Sequence, residues 1–440
     1  MIGEPGSDPV TQAGAVAMTA AQTTGRFIVV FADAEADHTP TLMGVPGISN
    51  VGDSRDYEDS DVDLVEITQG DAMVFSNLGM AVVSAEPGET LGLQAAEDAG
   101  DAVLSVSPEL VHHVLTDVDL DYLRGYRDGV ADISQRLGAS TSMESEASSA
   151  AAAALFADTA QATWGLQATR TLSSPHSGRG IKVAVLDTGF DLRHADFLGR
   201  KVTATSFVTG ESAQDGHGHG THCVGTACGP KTPPSGPRYG VAYEAEIFVG
   251  KVLSNGGSGS DAGILAGISW AVAQGCAVIS MSLGADVAVV HPPYTAAGRR
   301  ALQRGSLIIA AAGNNADRRV GKFGFVGPPA SSPHIMAVGA LEHQLDLAYF
   351  SARSQFATRG GQVDVAAPGY EVHSSWPMPT RYKSISGTSM ATPHVAGLAA
   401  LWAQATGYRG RELWAVLAME SDRLKAASLD VGGGLMLAPQ

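Results

Sequence analysis

Four residues in this chain have the type and placement that acyl-transfer chemistry requires. Ser389 lies in Ser386-Gly387-Thr388-Ser389-Met390-Ala391-Thr392-Pro393-His394-Val395-Ala396-Gly397, ahead of an apolar, Ala-rich run over 398–405. A small-residue loop entering a helix is expected there, with Pro393 in the first turn, where its missing N–H has no intrahelical partner. A serine so placed is an ordinary N-cap; with a base nearby it is a nucleophile beside free N–H groups that can stabilise an oxyanion. Asp187 follows the apolar run 181–186 in Asp187-Thr188-Gly189, with no second such motif to make an aspartic dyad. His217, His219 and His222 crowd Asp215-Gly216-His217-Gly218-His219-Gly220-Thr221-His222-Cys223. As metal ligands they lack a helical His-Glu-x-x-His face and a completing acidic or cysteine shell. As a general base, one of them would serve Ser389, oriented by Asp187; spacing does not choose among the three. Asn314 ends the run 307–312, where its amide is a turn residue or a donor to an oxyanion.

These residues need a frame. Apolar runs over 181–186, 247–253, 277–283, 307–312 and 335–341 alternate with helical patterns over 261–274 and 295–304. That alternation predicts an α/β fold, a mainly parallel sheet covered by helices on both faces, with the site at its C-terminal edge. Upstream, strands are expected over 27–31, 80–85 and 103–106, a helix over 87–99 and an acidic loop from Asp53 to Glu66, which together describe a small α+β unit. Leu123, Tyr126, Val130, Ile133 and Leu137 recur at helical spacing. From 138 to 160 Ser, Ala, Thr and Glu dominate, as in a cleavable linker. The expected division is a flexible lead over 1–25, the small unit over 26–115, a helix and linker over 116–160, and the large domain over 161–440.

Of the 440 residues 44% are hydrophobic and 17% charged, and 53 are glycine, which fits a compact, loop-rich protein. The net charge of −17 argues against nucleic acid or an anionic membrane as partner. No apolar run approaches the roughly 20 residues of a membrane span. Cys223, Cys228 and Cys276 cannot form a disulfide framework. No basic segment precedes an apolar core at the N-terminus, so the protein is expected to stay where it is made, to leave by another route, or to have had its leader removed.

The blocks Val185-Leu186-Asp187-Thr188-Gly189, Gly218-His219-Gly220-Thr221-His222, Ala311-Ala312-Gly313-Asn314 and Gly387-Thr388-Ser389-Met390-Ala391 resemble, in this order, those of the subtilisin-like serine proteases. The resemblance runs from about Trp164 to Leu435. It implies a serine endopeptidase acting on peptide or protein substrates, with Asp187 as orienting acid, His219 as base, Ser389 as nucleophile and Asn314 with the Ser389 N–H as oxyanion hole. His222 would be structural. It further implies that Gly257-Ser258-Gly259 and Ser282-Leu283-Gly284 flank a substrate bound as an added strand. Ala311, Ala312, Gly313 and Gly327 would line a roomy S1 pocket for large apolar side chains, and Asp261, otherwise an ordinary N-cap, would stand at the S4 rim with a mild preference for a basic residue. No cofactor is expected for the chemistry. Asp196 matches a subtilisin calcium ligand, yet 229–240 does not resemble the high-affinity calcium loop, so no metal site is assigned. The stretch Gly218 to Cys223 with Tyr239-Gly240-Val241-Ala242 looks more like the proteinase K branch, whose free cysteine beside the histidine Cys223 matches. The N-terminal unit is similar to subtilase propeptides, ferredoxin-like inhibitors of their own enzyme, which implies a zymogen cut between about Val114 and Ala160. The competing expectation is a silent homologue that only binds.

Overall fold

The computed structural model describes residues 21–57, 71–84, 97, 102–115, 155–355 and 359–440. The expected helices over 87–99 and 120–137, and most of the linker, lie outside the described residues.

The N-terminal unit contains β1 (Thr23–Phe31), α1 (Thr39–Met43), β2 (Val51–Asp53), β3 (Ala72–Phe75), β4 (Met80–Val83) and β5 (Val103–Val114). Its strands lie in the order β5-β1-β4-β3-β2, antiparallel except for the parallel pair β2 and β3. The sequence of pairings β5-β1-β4-β3 is the one a ferredoxin-like sheet uses. Strand β1 starts at Thr23, before the boundary expected at 26, and pairs there with Leu110. Side chains alternate along it. Val29 and Phe31 face a local core with Leu42, Val45 and Ile48, while Ile28 and Val30 join Met73, Phe75 and Val82 against residues of the large domain. Both faces of the small sheet are therefore buried, which explains why β1 reads as a continuous apolar run.

The large domain begins with α2 (Trp164–Ala168) and is built on a seven-stranded sheet. Its strands are β6 (Lys182–Asp187), β7 (Val202–Ser206), β8 (Glu246–Lys251), β10 (Val278–Met281), β12 (Leu307–Ala311), β13 (Met336–Leu341) and β14 (Val365–Pro368). Every pairing in it is parallel, in the order β14-β13-β12-β10-β6-β8-β7. On one face Val183, Val185, Ile309 and Val338 meet α3 (His219–Cys228) and α6 (Thr388–Thr406) through Val224, Val395 and Leu398. On the other, Ala184, Leu186, Ile279 and Ile308 meet α4 (Asp261–Ala273) and α5 (Pro292–Gln303) through Ile264, Leu265, Ile268 and Ala297. Beyond the sheet lie α7 (Gly410–Met419), α8 (Ser428–Val431) and the hairpin of β15 (Val372–Ser375) with β16 (Tyr382–Ile385). Strand order reverses between β6 and β10, and the crevice at the C-terminal ends of strands flanking such a switch is where open α/β sheets bind ligands.

Two short edge strands, β9 (Ser258–Ser260) and β11 (Leu283–Gly284), border that crevice, and β5 fills it. The strand expected to stop at 106 runs on to Val114. Its last residues pair antiparallel with both edges, His112 with Gly259 and His113 with Ser258 on one side, Val114 with Leu283 on the other.

The two units are further held by buried polar contacts. Arg300 of α5 reaches the carbonyls of Phe31, Leu78 and Gly79. Glu109 of β5 is fully buried, bridged by Arg26 at 2.7 Å, and accepts the Ala262 N–H at 2.9 Å. A carboxylate from the small unit thus caps a large-domain helix whose cap residue Ser260 makes no side-chain capping bond among the described residues. No helix among the described residues is long and apolar enough to cross a membrane.

Candidate active site

Strand β6 ends on Asp187, which is buried at the switch point. Its Oδ1 accepts the Thr188 N–H at 2.7 Å and faces Nδ1 of His219 at 2.7 Å. A carboxylate only accepts, so the proton sits on Nδ1, and Nε2 keeps its lone pair. That Nε2 is buried and has no partner among the described residues.

His219 opens α3, and its approach is set by Asp215. The Asp215 carboxylate accepts the N–H groups of His217, Gly218 and Thr221 and the hydroxyls of Thr188 and Thr221, all at 2.7–3.0 Å. Gly218 has φ +109°, and a Cβ there would meet the Trp376 ring at 2.4 Å, so only glycine makes this turn. The three histidines do not converge. His222 points Nε2 at the Val372 carbonyl, 2.9 Å away, and burial holds its pKa down to about 3. The rings of His217 and His219 lie edge to face, 6.3 Å apart, with burial first and His219 second lowering His217.

Ser389 is the second residue of α6, after Gly387 at the cap position, so it is not itself an N-cap. Its Oγ donates to the Ser282 carbonyl at 3.1 Å rather than to His219. Pro393 is the sixth residue of α6, deeper than the first turn where it was expected. Lacking an N–H, it leaves the Ser389 carbonyl free of its i→i−4 bond, and the Ser282 hydroxyl takes that carbonyl at 2.8 Å. Cys223 Sγ lies 3.6 Å from the same carbonyl and 3.9 Å from His219 Nδ1, and burial pushes its thiol well above the ordinary range.

Asn314 follows β12. Its Oδ1 accepts both the Thr388 N–H at 3.0 Å and the Thr388 hydroxyl at 2.8 Å, which settles which way the amide faces. The Nδ2 group donates to the carbonyl oxygen of Leu115 at 2.6 Å. A Cβ on Gly387 would come within 2.6 Å of that oxygen, so glycine keeps this space open. Leu115 follows the strand between the two edges, and Val114 N–H donates to the Gly257 carbonyl at 3.0 Å. Beside Leu115 a cavity of about 180 Å³ is lined by Gly284, Ala285, Ala311, Ala312, Gly313, Asn314 and Gly327.

The structure therefore assembles Asp187, His219, Ser389 and Asn314 in one crevice, with Gly257, Ser258, Gly259, Ser282, Leu283, Gly284, Ala311, Ala312, Gly313 and Gly327 around it. Sequence reading assigned no part to Asp215, Thr188 or Thr388. An aspartate a few residues before a helix of N–H donors is a capping signal, and it was available for Asp215. Thr388 and Thr188 act through partners far away in the chain and carry no local signal.

Asp196, where a calcium ligand was weighed, meets different chemistry. Its carboxylate accepts the hydroxyls of Tyr239 at 2.7 Å and Tyr382 at 2.9 Å and the Arg381 guanidinium at 2.9 Å. Such donors suit a carboxylate, whereas calcium takes about six to eight oxygen acceptors. Removing one partner of a buried pair strands the other charge. Arg381→Ala, made with Ser389→Ala to prevent self-digestion, should therefore destabilise the fold, tempered by the partial exposure of Arg381 and by the two hydroxyls that remain on Asp196. A lowered thermal midpoint checks this; an unchanged one contradicts it.

The Peptidase_S8 profile, described as the subtilase family, matches residues 178–432. Thermitase of Thermoactinomyces vulgaris is 41% identical over 229 residues, 51% of this chain and 76% of its own. The cuticle-degrading protease of Metarhizium anisopliae is 42% identical over 235 residues, 51% of this chain and 54% of its own. Subtilisin Savinase of Lederbergia lenta is 41% identical over 244 residues, 54% of this chain and 82% of its own. Identities this similar do not separate the branches of the family. With a profile spanning more than half of its length and relatives at about 40% identity, the chain belongs to the subtilase family of serine proteases.

Proposed function

We propose that this chain is a serine endopeptidase made as a self-inhibited zymogen, and that its first substrate is its own Leu115–Thr116 bond. The observation that carries this reading is the Leu115 carbonyl on Asn314 Nδ2 at 2.6 Å, at the end of a strand registered between both crevice edges. An added antiparallel strand is a recognised mode of peptide binding.

In the proposed reaction Ser389 Oγ turns from the Ser282 carbonyl toward His219 Nε2 and gives up its proton as it attacks the carbonyl carbon. Asp187 holds the Nδ1–H and stabilises the imidazolium. The oxyanion takes the Asn314 amide donor. Collapse breaks the C–N bond, His219 returns the proton to the leaving amine, and an acyl-enzyme on Ser389 remains. Water, deprotonated by His219, then attacks the acyl carbon, the bond to Ser389 Oγ breaks, His219 returns the proton to that oxygen, and the acid leaves.

A fluorophosphonate probe should label Ser389 once the first 115 residues have left, with hydrolysis of leucine-P1 peptides appearing in step. Labelling elsewhere, or none despite their loss, contradicts the assignment. The cavity beside Leu115 also sets an expectation for processing. Leu115→Asp should slow self-cleavage at least about 100-fold, since a carboxylate would enter a pocket lined largely by glycine and alanine whose lining already includes Asp286. Leu115→Phe, which has room, should process at a rate close to the parental one. Gel densitometry of the N-terminal fragment measures both, and equal rates for Asp and Leu would refute the pocket assignment.

A further inference from the structure

Three residues before Leu115, His112 is fully buried, whereas its neighbour His113 is exposed. Its Nε2 lies 2.7 Å from Asp261 Oδ1 and 3.2 Å from the Tyr294 hydroxyl, and its ring meets the Tyr294 ring edge-on at 5.4 Å. Asp261 is itself fully buried, at the start of α4 rather than on a rim. Its Oδ1 also accepts the Tyr294 hydroxyl at 2.7 Å; its Oδ2 accepts the Leu110 N–H at 2.7 Å and faces His291 Nε2 at 2.9 Å. Burial would raise the Asp261 carboxyl, and the facing imidazoles of His112 and His291 overcome that and hold it well below the ordinary range.

We infer that Asp261, with Tyr294 and His291, forms a subsite that selects histidine as the fourth residue on the amino side of the cleaved bond. This rests on the endopeptidase reading above, and it names the substrate class: chains with His at P4 and a large apolar residue at P1. All three walls belong to the large domain, so the subsite outlasts the departure of residues 1–115. Every substrate following the same track between β9 and β11 must place its P4 side chain there.

The donor count sets the selectivity. A carboxylate offers about four lone-pair sites. Tyr294, His291 and the backbone N–H at the Leu110 position take all but one, and a single imidazole N–H completes the set. An apolar P4 side chain leaves a buried carboxylate short of a donor. Lysine brings three donors to one vacancy, in a space closed by the Tyr294 ring. A site built to hydrogen-bond its ligand discriminates strongly against analogues lacking the group. Among the described residues His112 Nδ1 has no partner, and recognition runs through Nε2–H.

The test is hydrolysis of internally quenched peptides of sequence Glu-Leu-Val-X-His-Val-Leu-Thr-Asp, the chain's own 109–117, with His, Leu, Phe or Lys at X. For the processed parental enzyme at neutral pH, kcat/KM for His should exceed that for the others by roughly 10- to 100-fold, the worth of one hydrogen bond to a charged group. Asp261→Asn should shrink the preference to within about threefold, and Tyr294→Phe should reduce it while keeping the fold if the first variant does not fold. Equal or better cleavage with Leu or Phe at X overturns the inference and leaves the endopeptidase standing, as does a preference that survives Asp261→Asn. Cleavage of none of the peptides, by enzyme that has shed residues 1–115, overturns both.

Discussion

Ser389→Ala is expected to lower turnover of a leucine-P1 peptide by about 10⁶-fold, a scale established for a nucleophile that acts as one unit with its base in a subtilisin itself. The reason lies in the division of labour around the crevice. Among the described residues His219 Nε2 has no partner and Asp187 fixes the opposite nitrogen, so the base of the proposed reaction is left for a single hydroxyl. With that hydroxyl gone, neither residue can form the acyl-enzyme. Stability should change little. Among the described residues the Ser389 side chain makes one bond, to the Ser282 carbonyl, while the backbone carbonyl of Ser389 keeps its Ser282 and Cys223 partners. Turnover against the parental enzyme, with matching thermal midpoints, checks both halves.

Asn314→Ala should cost about 10² to 10³ in kcat with KM nearly unchanged, the loss measured for the corresponding donor in subtilisin. Among the described residues Asn314 Nδ2 donates to the Leu115 carbonyl, the one proposed to be attacked, so its contribution should grow as negative charge develops on that oxygen. Thr388 holds the amide oxygen from two directions. If Asn314 acted in ground-state binding instead, KM would rise and kcat would hold. Steady-state kinetics on processed enzyme separates the two.

Much of the frame and the site was legible in the sequence because function there sits on regular structure. Asp187, Ser282 and Asn314 come at or just beyond the ends of buried parallel strands, and those strands announce themselves as unbroken apolar runs. His219 and Ser389 lie in the first turns of helices introduced by glycine. Local pattern, at 3.6- or 2-residue period, carries all of this.

What stayed hidden depends on partners remote in the chain. The strand from Val103 was expected to end at 106, and beyond that point Pro108, Glu109, His112 and His113 break the apolar alternation. Glu109 and His112 are nonetheless buried, since the Ala262 N–H and the Asp261 carboxylate receive them. A buried polar residue is readable only once its partner is known. Pro393 was placed too early in its helix for the same reason: the Ser282 hydroxyl satisfies the carbonyl it leaves unpaired. Arg300 looks like a solvated helix residue until the carbonyls of Phe31, Leu78 and Gly79 close around it.

The central claim, that Ser389 cuts the chain's own backbone after Leu115, meets its most direct test in intact-mass measurement of the purified 440-residue protein and its Ser389→Ala variant over a time course. The account predicts that the parental chain yields a fragment ending at Leu115 and a partner beginning at Thr116, and that the variant stays whole. A parental chain that hydrolyses peptides while remaining intact, or a variant that cuts itself at the parental rate, would contradict it.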